Sequence, residues 1–266
     1  MSQYNVIAET PETTIAANYE PTKDRSDSYQ SEAELEARFI QDLMDQGYLR
    51  LTIHSEEELI ANLRRQLETL NKFTFSDDEW TRFFHNSIAN VNDGILEKTR
   101  KIQQDHVQVL KRDDGTTKNV YLIDKKNIHN NIVQVLNQFE EKGGKHNTRY
   151  DVTVLVNGLP LVHIELKRRG VAIREAFNQI DRYQRDSFWA GSGLYEYVQI
   201  FVISNGTFTK YYSNTTRDRH IKQQTQRARG SGKKTSNTFE FTSYWADSHN
   251  QIISDLRDFT RTFFAK

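Results

Sequence analysis

Two runs rich in aliphatic and β-branched residues, Arg149 to Val156 and Leu161 to Lys167, flank the dipeptide Asn157-Gly158. Asn-Gly is a strong signal for a two-residue hairpin, because both central residues of that turn need positive φ. An antiparallel hairpin here pairs positions whose numbers sum to about 316, which sets Asp151 opposite Glu165. Side chains alternate faces along a strand, so Glu165 and Lys167 share one side while Ile164 and Leu166 take the other. Three charged groups then meet at one spot. The register is an assumption, since Pro160 cannot donate to a ladder and Leu159-Pro160 can lengthen the loop.

Two carboxylates a few ångströms apart repel, and on a half-buried sheet face they need a cation between them. Mg²⁺ answers that need: it takes oxygen ligands, one or two carboxylates among them, and completes its shell with water and substrate phosphate. Lys167 can act on the same centre by orienting the attacking water or stabilising charge on the phosphate. The chemistry implied is metal-assisted hydrolysis of a phosphodiester. The same residues also fit solvated strand charges, with Glu165 paired to Lys167 and Asp151 to Arg149.

The 266 residues carry 36 basic and 36 acidic side chains, so only the distribution of charge points to a partner. Residues 1–30 read as a flexible acidic arm, and 31–266 as one unit. Its 31–100 part is helical and its 101–266 part contains the sheet. Ser31 with Glu34 is a capping-box start for a helix carrying Leu35, Phe39, Ile40 and Leu43; further helices begin at Ser55 and Ser76. Strands follow at His106 to Leu110 and Asn119 to Ile123. Ile132, Val135, Leu136 and Phe139 have helical spacing. Beyond the hairpin the pattern predicts a helix over Val171 to Asp186 and strands over Tyr197 to Ser204, Thr207 to Ser213 and Thr238 to Trp245. A last helix is predicted from Asp247 to Phe264. The fold class expected is α/β, a mixed sheet covered by helices.

Asp151, thirteen intervening residues and then Glu165-Leu166-Lys167 resembles the PD-(D/E)xK nuclease signature, with Tyr150 where the motif places Pro. Gln179-Ile-Asp-Arg-Tyr183 is similar to the QxxxY helix motif of the RecB-like branch. The wider chain resembles the N-terminal region of the HsdR subunit of type I restriction enzymes, through Glu32-Ala-Glu-Leu-Glu36, Leu161 to Arg168, Gln179 to Tyr183 and Val202 to Gly206. The resemblance implies a restriction-endonuclease-like fold in which Asp151, Glu165 and Lys167 are catalytic. Asp151 and Glu165 bind Mg²⁺, joined or supported by Glu32 or Glu36, and Gln179 and Tyr183 support DNA and the site. It further implies double-stranded DNA as substrate and methyltransferase and specificity subunits as partners. ATP enters only through helicase-like motors elsewhere in a longer subunit, of which this chain is expected to be a fragment.

Lys210 to Lys234 holds eight basic side chains and one acidic one, with aromatic residues interleaved. Such a segment supplies sequence-independent, salt-sensitive phosphate contacts. Lys210 and Lys222 are the candidates there, with Arg182 on the QxxxY helix. Gly230 to Thr235 departs from a P-loop, because Arg227 and Lys234 occupy its first Gly and its Ser/Thr positions. The absence of cysteine excludes disulfides and thiolate metal sites. No His spacing suits zinc and no G-x-S-x-G elbow is present. No window is apolar enough to span a membrane, and the start lacks an export signal, so a cytoplasmic location is expected. A catalytically silent module that docks DNA, motors or partner subunits is the alternative to an active nuclease.

Overall fold

The computed structural model describes residues 5–9, 14–17, 30–145, 147–214 and 238–266. In chain order the elements are β1 (Asn5–Glu9), β2 (Thr14–Ala17), α1 (Glu32–Asp45), β3 (Leu49–Arg50), α2 (Glu56–Asn71), α3 (Asp77–Phe83) and α4 (Ile95–Gln103). There follow β4 (Val107–Lys111), β5 (Thr117–Tyr121), β6 (Val133–Glu141), β7 (Thr148–Val156), β8 (Leu159–Leu166) and α5 (Ile173–Asp186). The chain closes with β9 (Ile200–Ser204), β10 (Thr209–Ser213), β11 (Trp245–Ala246), β12 (Ile252–Ile253) and α6 (Leu256–Phe263). Six strands form one mixed sheet in the order β10-β9-β8-β7-β6-β3, and helices cover both faces. The expected α/β class, a mixed sheet flanked by helices with a helical N-terminal part, is what the chain adopts. Within the stretch expected to be an arm, β1 pairs antiparallel with β2.

The capping box forms as read: Glu34 N donates to Ser31 Oγ at 3.2 Å, and Ser31 N donates to the Glu34 carboxylate at 2.8 Å. This starts α1 with its apolar stripe, Leu35, Phe39, Ile40 and Leu43, against Val152, Val154, Val162 and Ile164 of the sheet and Phe259 of α6. The opposite face packs Leu155, Phe201 and Ile203 against α2 and α5, through Leu59, Leu63, Ile180 and Tyr183. Both sheet faces are therefore buried, which makes the central strands apolar on both sides.

The stretch from Ile132 to Phe139 is strand β6 and not a helix. Val135 belongs to the α1 side while Leu136 and Phe139 both belong to the α5 side. Residues three apart share a face here because Gln138 adopts φ 56° and kinks the strand. That kink reproduces a helical spacing in an extended segment. The predicted strand Thr238 to Trp245 begins as a 3-10 turn, Thr238–Phe241, and is extended only at the Ser243 bridge to Tyr211 and at Trp245–Ala246. The closing helix starts nine residues later than expected, at Leu256. Asp247 accepts from the backbone N–H groups of His249 and Gln251 and turns β11 into β12, while Asp255 caps the helix by accepting from Arg257 N and Asp258 N. A turn-forming Asp and a cap are what end and restart the chain there.

Candidate active site

The hairpin has the two-residue turn expected, with φ 50° at Asn157 and 85° at Gly158, and Val156 faces Leu159. A turn of that length alone would give pairs summing to 315, as it does for Leu155 and Pro160. One extra residue, Leu161, then bulges out of β8, and the register becomes Val154 with Val162 and Val152 with Ile164. Pro160, having no N–H to lose, sits beside the bulge. Asp151 thus lies one step beyond the Val152 pair, beside Glu165, as the sequence reading required. Without the bulge a one-residue slip would send them to different faces.

A second irregularity aims Asp151. Tyr150 packs on the α5 side and Val152 on the α1 side, although a regular strand would give them one face. The β6–β7 ladder skips from Asn137 with Val152 to Phe139 with Tyr150, leaving Gln138 and Asp151 at the turnover. There Asp151 Oδ2 accepts from the backbone N–H of Leu166 at 2.9 Å. Glu165 is fully buried. Lys167 Nζ donates to its Oε1 at 3.1 Å, and among the described residues its Oε2 has no hydrogen-bond partner. Burial first, and then the neighbouring charge of Glu165, push Asp151 up to about 7. Burial also lifts Glu165 to about 7, against the pull of Lys167.

Helix α1 brings two more glutamates to this centre. Glu36 accepts from Asn137 Nδ2 at 2.6 Å and from Gln138 Nε2, so it holds the kinked part of β6. Burial raises its pKa, the two amides oppose that, and Asp151 adds to it. Glu32 accepts from Arg168 N at 3.4 Å.

From the other side α5 presents Gln179 and Tyr183, one turn apart. Gln179 Nε2 donates to the Tyr183 hydroxyl, which donates to the carbonyl of Arg149 at 3.0 Å. The pair is a strut from α5 to the strand that carries Asp151. Tyr183 is buried, and burial followed by the charge of Glu165 raises its pKa. Tyr150, at the Pro position of the motif, is also a buried strut, donating to Ser187 Oγ at 2.8 Å.

A cleft of about 410 Å³ opens between Lys167 and α5, lined also by Glu175, Asn178, Gln179, Asp181 and Arg182. Lys210 lies 4.8 Å from the Phe239 ring and 4.7 Å from the Tyr244 ring and donates to Thr242 Oγ1 at 3.0 Å, so its ammonium is engaged within the fold. Lys222 and the P-loop-like segment Gly230 to Thr235 lie outside the described residues.

Asp151 and Glu165 offer only oxygen, and Glu165 Oε2 is buried with no hydrogen-bond partner among the described residues, which suits a hard divalent cation that completes its shell with water and phosphate. Among the described residues no three His, Asp or Glu side chains converge into a full protein cage, so such an ion would rest on these two carboxylates.

Two features of the site escaped the sequence. The Asn137–Gln138 clamp on Glu36 lies in the segment that read as a helix, and no spacing signals it. The other is His163, two residues before Glu165 on β8, whose complete burial no sequence pattern signals.

The family model for the type I restriction enzyme R protein N terminus matches residues 29–220. The chain belongs to that family. This R-protein N-terminal region is 49% identical over 261 residues to the type I restriction enzyme EcoprrI endonuclease subunit of Escherichia coli, covering 98% of this chain and 78% of the relative. It is 38% identical over 241 residues to the SsaAORF53P endonuclease subunit of Staphylococcus saprophyticus, covering 88% of this chain and 23% of the relative. A putative MjaIXP endonuclease subunit of Methanocaldococcus jannaschii is 37% identical over 105 residues, which cover 38% of this chain and 10% of the relative. The R-protein region thus spans most of one relative and about a quarter of another. Among its described residues no helix is long and apolar enough to cross a membrane.

Proposed function

We propose that this R-protein region is a Mg²⁺-dependent endonuclease domain that hydrolyses phosphodiester bonds of double-stranded DNA. The observation that carries the reading is the meeting of a half-buried carboxylate, Asp151, and a fully buried one, Glu165, with the ammonium of Lys167 at the mouth of a cleft. Asp151 and Glu165 would hold the cation. Bound there, Mg²⁺ would supply Lewis-acid stabilisation of phosphate charge and a more acidic water.

The chain's own groups divide the remaining work. Lys167 stabilises negative charge on the phosphate and orients the attacking water, and its bond to Glu165 Oε1 keeps its ammonium at the centre. Leu166 N fixes Asp151. Glu36, with both oxygens already accepting from amides, acts as a support, which leaves Glu32 as the first-helix carboxylate closer in role to the cation. Gln179 and Tyr183 brace α5 against β7 while Arg182, on the cleft, meets DNA phosphates. Lys222 extends that backbone contact, whereas the Lys210 ammonium serves the fold.

In the whole enzyme the methyltransferase and specificity subunits select the DNA, and helicase-like motors of the same subunit use ATP to deliver it, all in the cytoplasm. Calorimetric titration of Mg²⁺ into wild type and Asp151→Ala, beside DNA binding by both, tests the reading. Cation binding lost in the variant with DNA affinity retained is the expected result. Cation-independent behaviour of both proteins would favour a silent docking module.

A further inference from the structure

His163 is fully buried two residues before Glu165 on β8. Its ring is held among four aromatic rings, with centroids 5.5 Å from Tyr150, 5.9 Å from Tyr183, 5.3 Å from Phe188 and 6.3 Å from Phe201. In such surroundings an apolar side chain would pack without penalty, whereas a buried polar atom without a partner loses its hydration uncompensated. Yet among the described residues neither His163 Nδ1 nor Nε2 has a hydrogen-bond partner, and Glu165 Oε2 has none either. Nε2 and Oε2 stand 3.6 Å apart, the one polar group facing the other across the gap. Separations of that kind at reactive centres are commonly long in the unliganded protein and tighten on loading.

We infer that His163 is a positioning residue: it donates from Nε2 to Glu165 Oε2 and holds the carboxylate with Oε1 turned to Lys167. The inference rests on the reading of Asp151, Glu165 and Lys167 as a nuclease centre, and extends it to the residue behind the glutamate.

A neutral imidazole has one donor and one acceptor nitrogen. A proton on Nδ1 instead would set the lone pair of Nε2 against that of the carboxylate. The aromatic cage blocks the ring from turning away. The Nε2–H tautomer is therefore the arrangement that relieves both groups, and it fixes the rotamer of a side chain that also accepts from the flexible Lys167. Outer hydrogen bonds that orient metal ligands contribute to affinity in this manner.

The test compares wild type, His163→Gln, His163→Leu and Glu165→Ala in the 266-residue chain, with thermal unfolding to confirm folding. Long-range ¹⁵N–¹H spectra of the metal-free protein at pH well above 7, with Glu165 ionised, should show the Nε2–H tautomer at His163; the Nδ1–H tautomer there would overturn the inference. In calorimetric Mg²⁺ titrations His163→Leu should bind about 10–100-fold more weakly than wild type, while His163→Gln, whose amide can also donate, should recover most of the affinity. Wild-type affinity in His163→Leu, with binding abolished in Glu165→Ala, would sink this inference and leave the nuclease centre standing. No Mg²⁺ binding by wild type, with or without DNA, would overturn both. If His163→Leu does not fold, the tautomer and the Gln variant decide: a Gln variant as weak as Glu165→Ala would count against the inference.

Discussion

The backbone N–H of Leu166 donates to Asp151 Oδ2 at 2.9 Å, so the carboxylate on β7 is tied to the peptide that follows the carboxylate on β8. The two acids are held together by the hairpin itself, before any cation arrives. That arrangement stores electrostatic repulsion at the centre, and it has measurable consequences.

The first concerns pH. Burial raises the folded-state pKa of Glu165 to about 7, above an ordinary glutamate near 4.3. Its contribution to stability is then complete below about pH 4 and is lost as pH rises through about 7. Glu165→Gln removes the charge that must be buried at high pH. In urea titrations with EDTA it should be more stable than wild type at pH 8, by on the order of 1–3 kcal/mol, and the gain should vanish at pH 4. A gain of equal size at both pH values contradicts the account.

Lys167 should matter to chemistry and little to cation binding. Its ammonium touches Glu165 Oε1, but the cation would rest on oxygen from Asp151 and Glu165. Lys167→Ala is expected to lower the cleavage rate on the order of 10²–10³-fold, as loss of one preorganised donor does, with Mg²⁺ still bound. Single-turnover cleavage paired with calorimetry separates the two effects, and loss of Mg²⁺ binding alone would point elsewhere.

Gln179, Tyr183 and the Arg149 carbonyl form a chain of hydrogen bonds from α5 to β7. Tyr183→Phe should reduce stability by about 1 kcal/mol, the usual net worth of such a bond. Gln179→Ala added to it should cost less than it does in wild type, because its acceptor is already gone. Strict additivity in urea denaturation would show that the two residues act separately.

The turn is equally testable. Gly158 has φ 85°, and a Cβ placed on it would come within 2.6 Å of Leu63 Cα in α2. Gly158→Ala should therefore destabilise on the order of 3 kcal/mol through backbone strain and overpacking. A thermal midpoint equal to that of wild type would mean that hairpin and helix do not press together there.

Much of the centre was legible because its parts lie close in sequence. Asn157-Gly158 announced the turn, alternation announced the faces, and Gln179 and Tyr183 stood one helical turn apart. The pairing of Asp151 with Glu165 depends on the Leu161 bulge, which Pro160 hinted at without locating. What could not be read were the backbone irregularities. Gln138 at φ 56° disguises β6 as a helix, and the turnover of β7 between Tyr150 and Val152 breaks the alternation on which strand reading relies. Both lie at the centre, where local rules are commonly given up for function. The late start of α6 has a different origin: Asp247 and Asp255 bond their own neighbourhood, which hydrophobic spacing does not register.

Nicking of supercoiled plasmid tests the central claim most directly, with the 266-residue chain supplied with Mg²⁺, Ca²⁺ or EDTA and compared with Asp151→Ala, Glu165→Ala and Lys167→Ala. The account predicts nicking that requires Mg²⁺, fails with Ca²⁺ and EDTA, disappears in Asp151→Ala and Glu165→Ala, and is slowed on the order of 10²–10³-fold in Lys167→Ala, while all three remain folded. Nicking that persists in Glu165→Ala, or that runs at the wild-type rate in Lys167→Ala, would contradict it.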